Sequence, residues 1–276
     1  MPRAGETVDW ASVEIAVPRP SCRLPGVSMA GFAYRDTAPI DVAMVAHPAV
    51  TLLLDLGGDA LVHDSGGRRE RGNVVIGLHP GDLRVSGAGP GRCLQIRLDP
   101  VAATAVLGGS PELSGTMVTL DALWGRDASR VGDRLHAAGS WDKTFTIAYG
   151  MIARRLAASR PVDPEVARTW RRMRATRGRV RVEHLAGEVG WSRQRLWSRF
   201  GAQVGLTPKR AARLIRFDHA AHLLAAGHAP AEVATETGCA DQSHLNREVR
   251  EFSGLTSAAV ATAPWLAIDD IAWPAG

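Results

Sequence analysis

A residue pattern that occurs twice in the second half of this chain places the strongest constraint on its fold. The first copy runs Leu-Ala-Gly-Glu-Val-Gly over 185–190, and the second runs Val-Ala-Thr-Glu-Thr-Gly over 233–238. In each copy an Ala precedes a Gly by four residues, and a later segment carries two apolar residues four apart. Ala lets two helices approach closely, Gly takes the positive φ of a tight turn, and the apolar pair faces inward. This spacing is typical of a helix-turn-helix unit, so the sequence predicts two units in tandem.

The second helix of each unit leaves one face free, and polar residues occupy that face in both copies. Ser192 is the predicted N-cap of the first of these helices, and Asp241 is that of the second. Arg can bind guanine O6 and N7 with two hydrogen bonds, and Gln or Asn can bind adenine in the same way. Any one of these residues could equally be an ordinary exposed helix position, but their occurrence in both units favours DNA recognition. The predicted base-reading residues are Arg193, Gln194, Arg195, Trp197, Ser198, Gln242, Ser243, Asn246 and Arg247.

A long connecting helix is predicted between the two units. Thr207 is its N-cap, Pro208 takes its first turn, and Gly227 follows its end. At about 1.5 Å per residue, a helix of about 19 residues is about 28 Å long. A rigid connector of that length could place two recognition helices about 34 Å apart, which is one turn of B-DNA. One chain could then read two successive major grooves.

The positive charge of the chain is concentrated in the segment that holds the repeat. The net charge is +5, but residues 1–163 carry 17 basic and 17 acidic side chains, whereas residues 164–264 carry 16 basic and 9 acidic ones. This imbalance favours a polyanionic partner, although a solvated basic face on an unrelated domain would have the same charge. The side chains predicted to contact DNA phosphates are Lys209, Arg210, Arg213 and Arg250.

The first half of the chain alternates short apolar runs with turn residues, as a small β-barrel or sandwich does. The last helix predicted there presents one apolar face, which packs on its own barrel or forms a dimer interface. The predicted strands are 42–46, 50–56, 59–63, 73–78, 82–86 and 92–98, and the helices after them are 101–107, 127–138 and 141–159.

The two halves together predict an α+β protein of two domains. The predicted boundaries are 1–162 for the domain of strands and flanking helices, 163–264 for the all-α DNA-binding domain, and 265–276 for a C-terminal tail. The longest apolar runs are only a handful of residues, far short of the roughly 20 that cross a membrane. Glu6, Asp9 and Glu14 lie where a signal peptide would need an apolar stretch. We therefore expect a cytoplasmic protein without membrane contact.

No residue spacing indicates a metal, cofactor or catalytic site. The N-terminal half contains His47, His63 and His79, but not the His-x-His and Glu spacing of a metal-binding cupin. The cysteines are an odd number without a CxxC pair, which argues against a disulfide frame and a zinc site: Cys22, Cys93 and Cys239. Some apolar residues could line a ligand cavity, although aromatic residues in a small barrel are more often core, and no pocket residue is assigned. They are Trp10, Tyr34, Met44 and Trp124.

Residues from about 180 to 262 resemble the AraC/XylS family of bacterial transcription regulators. The resemblance rests on Ser192 to Phe200, on Gly205 to Arg210, on Arg213 to Phe217 and on Gly238 to Leu245. The stretches Pro-Lys-x-x-x-Arg-x-x-Arg-Phe and Asp-Gln-Ser-His-Leu are similar to a branch whose N-terminal domain is a cupin-like barrel with helices. The resemblance implies a sequence-specific regulator, here taken as an activator, with no enzymatic activity.

The resemblance also implies a set of partners. Double-stranded DNA is the main one. A small-molecule effector in the N-terminal domain, RNA polymerase and a second copy of the chain bound through the N-terminal domain are further candidates. No cofactor is implied.

This chain departs from the family pattern at four positions. Cys239 replaces an aromatic residue and Val249 replaces Phe, which predicts a smaller core in the second unit. Ser257 stands where Pro is usual, which puts the start of the final helix in doubt. Ser198 stands where Arg is common, so the first unit should prefer different bases from relatives that keep the Arg.

Three other functions compete with that of a regulator. A DNA-bending protein with little sequence preference would also be basic, but such proteins rely on phosphate contacts and do not need varied polar residues on recognition helices. A cupin-type metalloenzyme fused to a DNA-binding domain would need metal-ligand spacing. A methyl-transfer repair protein would need clustered cysteines.

Overall fold

The structure is a computed structural model that describes residues 10–19, 24–57, 59–64, 66–78, 83–109 and 111–273. His79 and Cys22, considered above, lie outside the described residues. Strands and flanking helices form the first part of the chain, and helices form the second part, so the predicted α+β class is confirmed. The strands are β1 (Val13–Ala16), β2 (Val27–Tyr34), β3 (Ile40–Met44), β4 (Val50–Asp55), β5 (Leu61–His63), β6 (Arg69–Arg71), β7 (Val74–Ile76), β8 (Leu83–Gly87), β9 (Gly91–Leu98) and β10 (Met117–Thr119).

The strands form two sheets in which the neighbouring strands are antiparallel. One sheet has the order β1-β2-β9-β4-β7-β10, and the other has the order β3-β8-β5-β6. Every strand predicted from the sequence overlaps an observed one, whereas β1, β2, β6 and β10 were not predicted. The largest omission is β2, which pairs with β9 along its whole length and therefore lies near the middle of the larger sheet.

The alternation of side chains on β9 separates two environments. Leu94, Ile96 and Leu98 are fully buried in the main apolar core. Cys93, Gln95 and Arg97 point the other way and line a cavity between the two sheets. The two-sheet architecture therefore has a packed outer face and an inner face that surrounds open space.

Helices cover the larger sheet and then form the rest of the chain. α1 and α4 pack on each other, and the described residues of both halves share one continuous apolar core. The helices are α1 (Pro100–Leu107), α2 (Leu120–Trp124), α3 (Arg126–His136), α4 (Trp141–Ala158), α5 (Pro164–Ala175), α6 (Val182–Glu188), α7 (Arg193–Val204), α8 (Pro208–Ala225), α9 (Pro230–Thr237), α10 (Gln242–Ser253), α11 (Ser257–Ala261) and α12 (Pro264–Ala272). Single turns of 3₁₀ helix lie at Trp10–Ser12 and Pro111–Leu113.

The two helix-turn-helix units are present as predicted. α6 and α7 form the first and α9 and α10 the second, with Gly190 and Gly238 in the turns at φ 68° and 73°. The side chains of Ser192 and Asp241 accept backbone N–H groups at the starts of α7 and α10. The connector is α8, whose N-cap is Thr207. An apolar stripe along α8 is buried: Leu214, Phe217, Ala221 and Leu224.

The second unit keeps a filled core despite its smaller residues. Val249 is fully buried, and Cys239 is buried beside it in the same apolar cluster. The rings of Phe252 and Phe217 stack with centroids 5.3 Å apart. α11 also begins at Ser257 without a Pro, because the Thr256 side chain accepts the N–H of Ala259 at 3.2 Å.

The segment after Ala263, predicted as a tail, is a helix that packs back on the protein. α12 contacts α8, β1 and β2, so it touches both the connector and the larger sheet. Leu266 and Ala272 are buried in these contacts. Among the described residues, no helix combines the length and apolarity that crossing a membrane requires.

Candidate DNA interface and ligand cavity

The two recognition helices, α7 and α10, present the predicted base-reading residues to solvent. On α7 the side chain of Trp197 is 58% exposed, although Trp is a large apolar residue. An exposed Trp offers a large aromatic face and an N–H donor to a partner. The whole predicted set is exposed: Arg193, Gln194, Arg195, Trp197, Ser198, Gln242, Ser243, Asn246 and Arg247.

Some of these residues already have partners within the chain. The guanidinium of Arg195 stacks over the Trp191 ring at 4.6 Å from its centroid. Asn246 accepts a hydrogen bond of 2.5 Å from Ser257 through Oδ1. Because two-bonded recognition of adenine needs both amide atoms, this contact reduces what Asn246 can offer to a base.

Arg213, which the sequence predicts to contact phosphate, forms ion pairs within the chain. Its guanidinium binds Glu248 at 2.8 Å and Glu251 at 2.5 Å, and its side chain is 28% exposed. Arg216 binds Glu248 as well. Arg213 therefore joins the connector to α10 and has little of its guanidinium free. The other predicted phosphate contacts are exposed: Lys209, Arg210 and Arg250.

Sequence reasoning also missed an arginine with a similar role in the first unit. Arg199 on α7 holds the Asp163 carboxylate with bonds of 2.8 and 2.9 Å, and so ties the recognition helix to the start of α5. Asp163 occupies the N-cap position of α5, but its side chain makes no capping bond. The sequence around Arg199 offered only one signal for this contact, which is that a basic residue lies on the solvent side of α7.

A group of side chains with metal-ligand chemistry lies beside α10. In the described residues, Cys239, His244 and Glu248 bring one ligand atom each within 4.8 Å of the others. Two guanidinium groups, from Arg213 and Arg216, already neutralise the carboxylate of Glu248. A divalent cation would have to compete with both guanidinium groups, so Glu248 serves here as the partner of two arginines.

The space between the sheets is a mostly apolar cavity of about 210 Å³. Its walls come from both sheets, and residues of α8 and of the C-terminal helix α12 close one end. Three of the four residues suggested from the sequence line it: Trp10, Tyr34 and Met44. Trp124 does not, because it packs in the core and carries the Arg155 guanidinium on its ring.

Five ionisable side chains meet where the sheet, α8 and α12 come together, and we call them the ion cluster: His47, Arg97, Asp218, His222 and Asp269. His47 is bonded to Asp218 through Nδ1 at 2.7 Å and lies 3.3 Å from Arg97 through Nε2. Arg97 also donates to Asp269 at 3.0 Å and stacks on the Trp273 ring at 4.1 Å. His222 binds Asp269 at 3.2 Å.

The surroundings of the ion cluster fix its charges. Burial and the nearby Arg97 lower the pKa of His47, so this ring is neutral, accepts from Arg97 and donates to Asp218. Burial opposes ionisation of Asp218, but its interactions with His47, His222 and Arg174 outweigh that effect and hold its pKa well below the usual range. The hydrogen bond to Asp269 raises the pKa of His222 to about 9. His222 is therefore a cation at neutral pH.

Part of the chain matches a known protein family. Residues 185–262, which run from within α6 to the end of α11, match the family described as the helix-turn-helix domain. Residues 185–262 are an AraC-type helix-turn-helix domain. This chain is 38% identical over 66 residues to YbfI of Bacillus subtilis (strain 168), an uncharacterized HTH-type transcriptional regulator. That match spans 24% of this chain and 24% of that relative.

Solved structures with a similar fold are distant in sequence. ToxT from Vibrio cholerae O395 is 10% identical with a TM-score of 0.47, over 89% of this chain and 98% of ToxT. The C-terminal domain of AraT, a response regulator from Geobacillus stearothermophilus, is 18% identical with a TM-score of 0.34, over 36% of this chain and 85% of that solved domain. A cupin superfamily protein from Desulfitobacterium hafniense is 18% identical with a TM-score of 0.25, over 35% of this chain and 82% of its own.

Proposed function

We propose that the chain is a sequence-specific, DNA-binding transcription regulator whose activity depends on a small molecule in the cavity between its sheets. One observation carries the proposal: two helix-turn-helix units, joined by the single helix α8, each expose a recognition helix with varied polar side chains. Varied polar groups on a recognition helix suit base edges in the major groove, where donor and acceptor patterns differ between base pairs. No catalytic residue is required.

The side-chain contacts refine the proposed roles. Arg193, Gln194, Trp197 and Ser198 on α7 are assigned to bases, together with Arg195, which Trp191 supports from below. Gln242, Ser243 and Arg247 on α10 have the same role, with Asn246 contributing its free amide nitrogen. Lys209, Arg210 and Arg250 are assigned to phosphates, whereas Arg213 is assigned to the joint between α8 and α10.

Control by an effector is supported by the position of the cavity. The ion cluster closes one end of the cavity, and two of its residues lie on α8, the helix that connects the two helix-turn-helix units. A molecule in the cavity would lie against Asp218 and His222, which line the cavity and belong to α8 itself. The division at residues 162 and 163, the contact with RNA polymerase, the homodimer and the cytoplasmic location stay predictions.

The experiment that tests the proposal is selection of bound fragments from a random duplex library. Purified full-length protein is used at about 0.15 M salt, where non-specific binding is screened. We expect two enriched half-sites about 10 base pairs apart, because two recognition helices on one chain would enter successive major grooves. Retention of bulk DNA without an enriched sequence would contradict the proposal and favour an architectural protein.

Two matched variants test whether Arg247 discriminates between bases. Arg247→Ala should relax the preference at one or two positions of one half-site, with a loss of about 1 to 3 kcal/mol at the preferred base. Arg130→Ala is the control, because Arg130 is an exposed arginine on α3, far from either recognition helix in the chain. Equal weakening of all sequences by Arg247→Ala would move Arg247 to the phosphate contacts.

A further inference from the structure

The strand register orders the polar groups along the cavity. On the inner face of the larger sheet, Asp55 lies opposite Cys93, Leu53 opposite Gln95, and Thr51 opposite Arg97. Cys93 and Arg97 are four residues apart on β9, so these two ends of the cavity are about 13 Å apart at about 3.3 Å per residue. The cavity therefore has an Asp55 end and an Arg97 end.

The charges at the Arg97 end are already balanced. Arg97 donates two hydrogen bonds to Asp269, and the Trp273 ring covers its guanidinium. His222 is also hydrogen-bonded to Asp269, and His47 is hydrogen-bonded to Asp218. An anionic ligand at this end would have to displace Asp269 from Arg97, which leaves a carboxylate without its partner in a poorly hydrated site. Such an exchange costs more than it returns.

The Asp55 end has the opposite character. The Asp55 carboxylate accepts backbone N–H groups from Gly57 and Ala60, and within the described residues no Lys or Arg forms an ion pair with it. Burial raises the pKa of Asp55, while these two hydrogen bonds and the nearby His136 act against that rise. Asp59, which also lines the cavity, adds a second negative charge nearby. Arg92 also lines the cavity, but its guanidinium stacks on the ring of Trp141 on α4, 4.6 Å from the ring centroid, and forms no ion pair with Asp55 among the described residues. A carboxylate keeps several lone pairs free after two hydrogen bonds, so Asp55 can accept more.

A second group at the cavity also lacks a partner. The indole nitrogen of Trp10 is buried, and it has no hydrogen-bond partner within the part of the chain that is described. Buried N–H groups are nearly always hydrogen-bonded, and Trp10 lines the cavity. Phe32 and Tyr34 line the same space, and aromatic faces attract cations as well as apolar groups.

We propose that the effector is an amphipathic amine, with an apolar body among the aromatic residues and a protonated amino group on Asp55. This inference rests on the proposed function, in which the cavity holds an effector. The amine satisfies a negative charge that has no cationic partner, and it leaves the ion cluster intact. An acceptor atom on the ligand would also pair with the Trp10 indole N–H.

Three probes of the same shape and different charge test the ligand class. 4-Phenylbutylamine, 4-phenylbutanol and 4-phenylbutyrate are titrated separately into the full-length protein by calorimetry at neutral pH. We expect the amine to bind at least about tenfold more tightly than the alcohol, because a charge-assisted hydrogen bond exceeds a neutral one. The butyrate should bind most weakly of the three.

Variants assign the charge preference to one residue. Asp55→Asn keeps the shape and the hydrogen bond to Gly57 but removes the charge, so it should abolish the preference for the amine and leave the alcohol affinity unchanged. Asp133→Asn, at an exposed position on α3, is the matched control.

Equal affinity for the three probes, tighter binding of the butyrate, or no binding of any probe at millimolar concentration would each overturn the inference. Duplex selection without any probe tests DNA recognition separately. Loss of the ligand class and loss of the regulator function are therefore distinguishable.

Discussion

His222 links the charge state of one residue to the stability of the fold. Its pKa is raised to about 9 from 6.5, first by the hydrogen bond to Asp269. A raised folded-state pKa adds stability that is complete below the unfolded pKa and is lost as pH rises through the folded value. We therefore expect this contribution to decline between about pH 6.5 and pH 9. Because the side chain is 36% exposed, solvent screening reduces the effect to about 1 to 2 kcal/mol.

The measurement is the unfolding free energy of the full chain, from urea titrations across that pH range. His222→Gln should remove this part of the pH dependence and reduce the stability at neutral pH. His228→Gln is the control, since His228 is exposed in the turn after α8. An unchanged pH profile in His222→Gln would mean that the contact with Asp269 does not form in solution.

Single residues were predictable where the signal is local. Ser192, Thr207 and Asp241 act as caps as predicted, because a cap bonds to the backbone three residues later. The ion cluster gave no such signal. His47 and Asp218 are 171 residues apart, and Arg97 and Asp269 are 172 apart. Only the packing of α8 and α12 on the sheet brings them together.

At the scale of elements, periodicity identified the helices better than the strands. β2 was missed because its sequence, VSMAGFAY, mixes small and large residues without a clear alternation. Gly31 within it explains part of this, since a Cβ there would collide with the Trp141 ring of α4. The requirement for Gly at position 31 is therefore set by tertiary packing and leaves no local pattern in the sequence. The helix-turn-helix repeat was predicted because its requirements lie within a short stretch of sequence.

α12 is the element whose role is most open to test. It supplies Asp269 and Trp273 to Arg97, whose side chain is only 17% exposed. A chain that ends at Ala263 should lose about 3 kcal/mol or more of unfolding free energy, because a mostly buried guanidinium loses its carboxylate and its ring.

A double-mutant cycle separates this ionic contact from general packing by α12. In the shortened chain, Arg97→Gln should cost much less than it does in the full chain, since the partner is already absent. The measurement is chemical denaturation of the four proteins. Additive losses would show that α12 stabilises the fold through its apolar residues alone.

At the scale of the whole molecule, the distribution of charge predicts how salt weakens DNA binding. The basic surplus lies within 164–264, while residues 1–163 are balanced. Each phosphate that a side chain neutralises contributes about −0.9 to the slope of log K against log salt concentration. Arg210→Ala and Arg250→Ala should therefore each flatten that slope by about 0.9 on a fixed duplex.

Arg213→Ala distinguishes the ion pairs of the fold from contacts with DNA. Arg213 is held by Glu248 and Glu251, so its removal should leave the salt slope unchanged and lower the stability of the second unit. Arg130→Ala, at an exposed position of the balanced half, should change neither quantity. Titrations at several salt concentrations, with thermal unfolding of the same proteins, give both numbers. A flatter slope for Arg213→Ala would mean that Arg213 leaves its carboxylates when DNA binds, and it would restore the phosphate contact predicted from the sequence.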